Sequence, residues 1–246
     1  MPGVDTIDGL TRAVADFDTS GFELPMEEAA LSRARRSLVE TGLLLLGEVH
    51  GVRENPLIIR RLVDALGLRS LALEWHGGLT MELYTYLRHG TPLEHPHWWL
   101  GDGRVTAGHL AVLRQLSPIT ITLFEGTEIT ADWSAREAAM ARRVLDMVAA
   151  PTLVVAGNAH TGTAPNALGM PMGAFLARGR PGLESIRIDY GRGDFYAMER
   201  RSVDEPAAAR GLQVVGRELV VGLPEFTEAT VPQLPLDALR ARLTRF

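Results

Sequence analysis

The sequence predicts an α/β fold: a mostly parallel central sheet with helices on both faces, in a single domain. Two observations lead there. Four short, largely apolar runs (LLLL at 43–46, SLALE at 70–74, ITITLF at 119–124, TLVVAG at 152–157) read as strands, and the unbroken first run reads as one buried on both faces. Between them lie stretches with apolar residues at helical spacing, and alternation of strand and helix calls for parallel pairing. No linker, low-complexity tract or long repeat divides the 246 residues.

The elements follow in order. Residues 1–42 form an N-terminal helical segment: Pro25 suits a first turn, Glu27 and Glu28 its positive end, and Arg33, Arg35 and Arg36 the far end before Gly42. After the strand at 43–46, Asn55 is placed to cap a helix starting at Pro56. Leu57, Ile58, Leu62, Val63 and Leu66 line one face of that helix, and Gly67 ends it. The second strand (70–74) leads to a helix from Thr80 to Arg88 and then a turn-rich loop at 89–103. A helix from about Thr106 to Leu116 precedes the third strand. Ser134 with Glu137 reads as a capping box opening a helix to about Val148 before the fourth. Residues 43–162 thus make a motif-bearing core, and 163–246 a region of C-terminal strands and helices. In that region a helix is expected at 168–178, a strand at 186–190 with a hairpin beyond it, a strand pair in LQVVGRELVV, and a helix at 235–244.

Composition narrows the chemistry. The net charge of −5 disfavours nucleic acid or an anionic membrane as partner. MPGVDTIDGL lacks the basic and apolar regions of a signal peptide, and no apolar run spans a bilayer, so a cytoplasmic protein is expected. There is no cysteine and no lysine, since all 25 basic residues are arginine. Thiolate nucleophiles, Cys-ligated metals, lysine Schiff bases and Walker A loops are excluded. With no G-x-S-x-G or G-x-G-x-x-G either, any catalysis falls to His, Glu, Asp, Arg and Tyr.

Polar residues gather after the strands, where parallel sheets bind ligands. The first strand is followed by Glu48 and His50, the second by Glu74 and His76, the third by Glu125 and Glu128, the fourth by Asn158 and His160. If these strands are neighbours, carboxylates and histidines converge on one rim. His76, Glu125, Asn158 and Arg53 are then candidates to touch a small-molecule substrate, with Trp98 and Trp99 of the long loop as a lid. Gly47, Gly51 and Gly157 are expected to let backbone approach a ligand closely.

LLLLGEVHGVRENP, LALEW, SAREAAMARRVLDMV and TLVVAGNAH, in that order, resemble the erythromycin-esterase-like and haem-uptake ChaN-like proteins of the wider Tiki/TraB group. The likeness covers about residues 40–162 and rests on Gly47, Glu48 and His50; Glu74; Arg136, Glu137 and Met140; and Asn158 and His160. One residue, Val49, separates Glu48 from His50, as in ChaN-like proteins; the esterases have two. The resemblance implies a hydrolase of esters, lactones or amides with His50 as general base. Glu48 or Glu74 would hold that imidazole, His160 would stabilise the oxyanion or protonate the leaving group, and Arg136 would pair with a glutamate. That reading needs no cofactor. The Tiki branch implies instead a divalent metal on His50, His160, Glu48 and Glu74. The ChaN branch implies haem or another flat ligand, with Trp98, Trp99, Tyr84, Tyr86, His95 and His97 lining a pocket.

Overall fold

Leu43–Glu48 is buried at every residue because its strand lies near the middle of an eight-stranded sheet. The protein is seen in a computed structural model that describes residues 3–116, 118–126, 132–148 and 151–243. Along the chain, β1 (Gly3–Val4) leads into α1 (Ile7–Ala15), α2 (Glu28–Thr41) and β2 (Leu43–Glu48). Then come α3 (Asn55–Leu66), β3 (Ser70–His76), α4 (Thr80–His89), α5 (Ala107–Gln115), β4 (Thr120–Glu125) and α6 (Trp133–Met147). The remainder holds β5 (Thr152–Gly157), α7 (Asn158–Thr161), α8 (Met172–Gly179), β6 (Ser185–Ala197), β7 (Glu199–Asp204), β8 (Gly211–Val215), β9 (Glu218–Phe226), β10 (Val231–Pro232) and α9 (Leu236–Leu243).

The sheet order is β4-β3-β5-β2-β6-β9-β8, with β7 paired to the far half of β6. Six neighbours from β4 to β9 run parallel; β7 and β8 are the antiparallel additions. Although β5 is late in sequence, it inserts between β2 and β3. Its register sets Gly157 beside Glu48 and Val155 beside Leu73. The carboxyl ends of β2, β5 and β3 therefore lie side by side, about 4.8 Å apart at each step.

Alternation along each strand builds two cores. Leu44, Leu46, Leu71, Leu73 and Trp75 pack with Leu10, Ile58, Leu62, Leu110 and Trp98 on the face covered by α1 to α5. Leu43, Leu45, Ala72, Val154 and Ala156 pack with Met140, Val144 and Leu176 of α6 and α8 on the other. Each fully buried leucine contributes about 1.5–3 kcal/mol, which is why a strand with four in a row occupies the centre.

Two expected caps are corrected. Asn55 lies inside the first turn of α3 with its side chain buried, and Glu54 precedes it. Helix α6 is capped by Asp132, whose Oδ1 accepts the Ala135 N–H at 3.2 Å. Glu137 turns into the interior instead of back to the helix end. In the C-terminal region β6 runs from Ser185 through to Ala197 and folds back at Met198 into β7. Among the described residues no helix is long and apolar enough to cross a membrane.

Candidate active site

Glu48 ends β2 with the parity of Leu44 and Leu46, so its carboxylate enters the face covered by α5, where it is 4% exposed. Oε1 accepts from His50 Nδ1 at 3.2 Å, and Oε2 lies 3.8 Å from His109 Nε2. Helix α5 supplies His109, whose Nδ1 meets Thr106 Oγ1 at 3.0 Å and whose ring packs edge-on to Trp75. Burial alone would raise the Glu48 carboxyl. Contacts from the His109 and His50 rings outweigh burial and hold it down at about 2. Burial likewise opposes a charged His50, but the Glu48 hydrogen bond and the charges of Glu74, Glu48 and Asp102 prevail and raise its pKa. Because an ionised carboxylate only accepts, Nδ1 of His50 carries the proton and Nε2 is left for chemistry.

Glu74 has the parity of Ala72 and enters the opposite face, also 4% exposed. Its Oε2 accepts the Gly157 N–H at 2.9 Å, while Oε1 lies 3.4 Å from His160 Nε2 and 3.5 Å from Arg136. His160, on the single turn α7, is held from behind: Nδ1 donates to Glu137 Oε1 at 2.8 Å, and Trp133 stacks on the ring at 4.9 Å. Glu137 is wholly buried, and its second oxygen accepts the Met172 N–H at 2.8 Å. The two imidazoles meet at Gly157. A Cβ there would lie 3.2 Å from His50 Nε2 and 3.3 Å from His160 Cδ2.

Beside this pair opens a cleft of about 370 Å³, walled by Trp75, Leu79, Leu100 and Val105, with Glu74, Asp102, Arg104 and Glu125 among its polar groups. Arg104 is its central cation. It pairs with Asp102 at 2.6 Å and with Glu125, and approaches Glu74 to 4.0 Å. Arg136 holds the other Glu125 oxygen at 2.7 Å. Burial works against the Arg104 charge, but Asp102, Glu125 and Glu74 raise its pKa further. Arg104 also borders a small void shared by Glu48, His50, Glu74 and His109, which adjoins the cleft at Glu74 and Trp75.

Other candidates sit elsewhere. His76 lines the cleft but turns to His97 and His95, with ring centroids 4.5 and 6.5 Å away. Trp98 and Trp99, each 1% exposed, are core residues whose indole N–H groups bond Glu82 and Leu93; they do not wall the cleft. Arg53 lies over the Phe17 ring, and Asn158 borders a separate depression with Thr161 and Arg187. Gly157 faces the site. Gly47 instead leaves room for Asn158 and Thr161, and Gly51, at φ +76°, for the Tyr196 backbone. Glu128 lies outside the described residues. Glu137, His109, Arg104 and Asp102 join the cluster without having been candidates from strand-end position.

The metal set His50, His160, Glu48 and Glu74 does not gather as a ligand shell. Among the described residues no group of three or more His, Asp or Glu side chains is arranged to hold a metal ion.

No protein-family model matches the chain, and no curated protein matches it. Solved structures similar to it include a bacterial protein toxin (16% identity, TM-score 0.42, 74% of this chain and 39% of that one). The type III effector HopBA1 is similar at 12% identity and TM-score 0.45, over 85% of this chain and 99% of that one. A Bacillus cereus protein is similar at 11% identity and TM-score 0.47, over 78% and 77%. The chain spans about two fifths of the length of the bacterial toxin chains.

Proposed function

We propose that this chain is a small hydrolase of esters, lactones or amides, working by general acid–base chemistry on two carboxylate-anchored imidazoles. The observation that carries the reading is the pair Glu48–His50 and Glu137–His160, both rings set against Gly157. In this reading His50 Nε2 takes a proton from water as the oxygen attacks the carbonyl, and Glu48 steadies the imidazolium that results. His160 Nε2 gives a proton to the departing oxygen or nitrogen, leaving an acid and an alcohol or amine. Solvent then moves the proton from His50 back to His160. Glu74 Oε1 lies 3.4 Å from the same Nε2, beside the proton to be transferred.

The motif likeness to erythromycin-esterase-like proteins supports the same assignment at His50, Glu74, Arg136 and His160. A cleft of about 370 Å³ with apolar walls suits the body of a small substrate. The test is hydrolysis of a panel of p-nitrophenyl esters, lactones and anilides by the wild-type chain, His50→Ala and His160→Ala. Turnover that disappears in both folded variants is expected. Turnover surviving in both, or none by the wild type on any of the three classes, rejects the reading.

A further inference from the structure

Val49, the residue between Glu48 and His50, has both backbone polar groups held by side chains, one six residues on and one 141 residues on. Its N–H donates to Tyr190 Oη at 3.0 Å, and its carbonyl accepts from Asn55 Nδ2 at 2.8 Å. Tyr190 Oη donates in turn to Asn55 Oδ1 at 2.7 Å, so three hydrogen bonds close a ring around one residue. The sequence places both partners well. Asn55 opens α3 and is wholly buried. Tyr190 is on β6, which pairs with β2 at Gly47–Arg187, so three residues later it comes level with His50. Phe226 packs edge-on to the phenol at 5.3 Å. Burial, with the Glu48 charge acting the same way, keeps the phenol protonated and able to donate.

A carboxylate and an imidazole two residues apart meet only if the backbone between them is fixed. The parallel ladder of β2 ends at Glu48, beside Gly157, so Val49 receives no further bond from β5. Side chains take over where the sheet stops. We propose that Tyr190 and Asn55 are positioning residues: by clamping the backbone on both sides of the Val49 Cα they hold His50 Nδ1 on Glu48 and aim Nε2 at Gly157. This rests on His50 being the base of the hydrolase reading, but its test does not depend on turnover.

Histidine side chains labelled with ¹⁵N are titrated by NMR in the wild type, Tyr190→Phe and Asn55→Ala. The His50 pKa is expected to fall in both variants while the His160 curve stays in place. For any ester the wild type cleaves, kcat is expected to fall roughly a hundredfold with KM little changed, as for a reacting group misplaced by about an ångström. An unchanged His50 titration in folded Tyr190→Phe overturns the clamp even where His50→Ala abolishes turnover. A fallen His50 pKa supports the clamp even where turnover survives His50→Ala, and that survival would count against the hydrolase reading alone. If both variants fail to fold, amide exchange of wild-type Val49 decides. Protection equal to that of β2 supports the clamp, and exchange at open-loop rates overturns it.

Discussion

Glu137 Oε1 lies 2.8 Å from His160 Nδ1, a contact between α6 and α7 in which the glutamate has no solvent exposure. This fixes the imidazole with Nε2 toward Glu74. Glu137→Gln keeps the shape and an oxygen for the Met172 N–H but removes the carboxylate oxygen that accepts from Nδ1 and fixes the ring's tautomer. Turnover is expected to fall tenfold or more, because a wrong tautomer idles an acid–base histidine. Stability should drop by about 1–3 kcal/mol for the weakened buried bond. Ester hydrolysis and thermal melting measure the two effects; wild-type turnover in the variant would remove Glu137 from the mechanism.

Gly157→Ala is a steric probe of the meeting point. The new methyl would sit 3.2 Å from His50 Nε2 and 3.3 Å from His160 Cδ2, tighter than ordinary contact, so both rings must shift by a few tenths of an ångström. The backbone there is extended (φ −57°), so alanine adds no strain of its own. Loss of most turnover with an unfolding free energy within about 1 kcal/mol of wild type is the expected result. An active variant would mean that the space between the rings is not where the reaction occurs.

Why the apolar runs were legible and the cluster only partly so follows from the same sheet. LLLL and TLVVAG are continuous because central parallel strands bury both faces, and that is a local signal. The insertion of β5 between β2 and β3 is not local, and it decides that Gly157 separates Glu48 from Glu74. Which face each glutamate enters depends on which helices cover that face, so the pattern of strand ends foretold a gathering but not its two-sided form. Ser134 and Glu137 have the spacing of a capping box, yet Asp132 caps the helix and Glu137 serves a histidine 23 residues on. Trp98 and Trp99 sit among turn formers and read as a lid over the rim, but their rings are buried in the core and their indole N–H groups bond Glu82 and the Leu93 carbonyl. Nothing in the spacing of Arg104 or His109 marks them.

Stability should depend on pH through two groups of histidines with opposite sign. Burial lowers the pKa of His76 and His97, and so do the neighbouring histidines and Arg104; Glu125 opposes this. The unfolded chain therefore takes up more protons than the folded one as pH falls through about 6.5, and stability declines on that side. His50 is raised, so its contribution is complete below the ordinary histidine value and is lost as pH rises through the higher folded one. Melting temperatures from pH 5 to 9 should show a shallower acid limb in His76→Asn/His97→Asn, where asparagine oxygens can still accept the Gly78 N–H and replace an imidazole. His50→Ala should flatten the alkaline limb. Acid limbs that superpose for the wild type and the double variant would contradict the assignment.

Arg104→Met tests whether one guanidinium organises the acidic end of the cleft. The substitution keeps the length of the stem and removes the cation that Asp102 and Glu125 contact and Glu74 approaches. Arg136 would then be left beside Glu74 and Glu125, and Asp102 would lose its only ion-pair partner among the described residues. Breaking such a partly buried network should cost about 3 kcal/mol. Glu125→Gln in the Arg104→Met background removes one of the stranded charges, so the double variant should recover part of that loss. A coupling of 0.5–3 kcal/mol is the range expected of residues sharing one network, whereas distant sites add within about 0.3–0.5 kcal/mol. Urea unfolding of the four chains completes the cycle. Simple additivity would mean that Arg104 and Glu125 do not share the load, and that the cleft owes its shape to Trp75, Leu79, Leu100 and Val105 instead of to its charges.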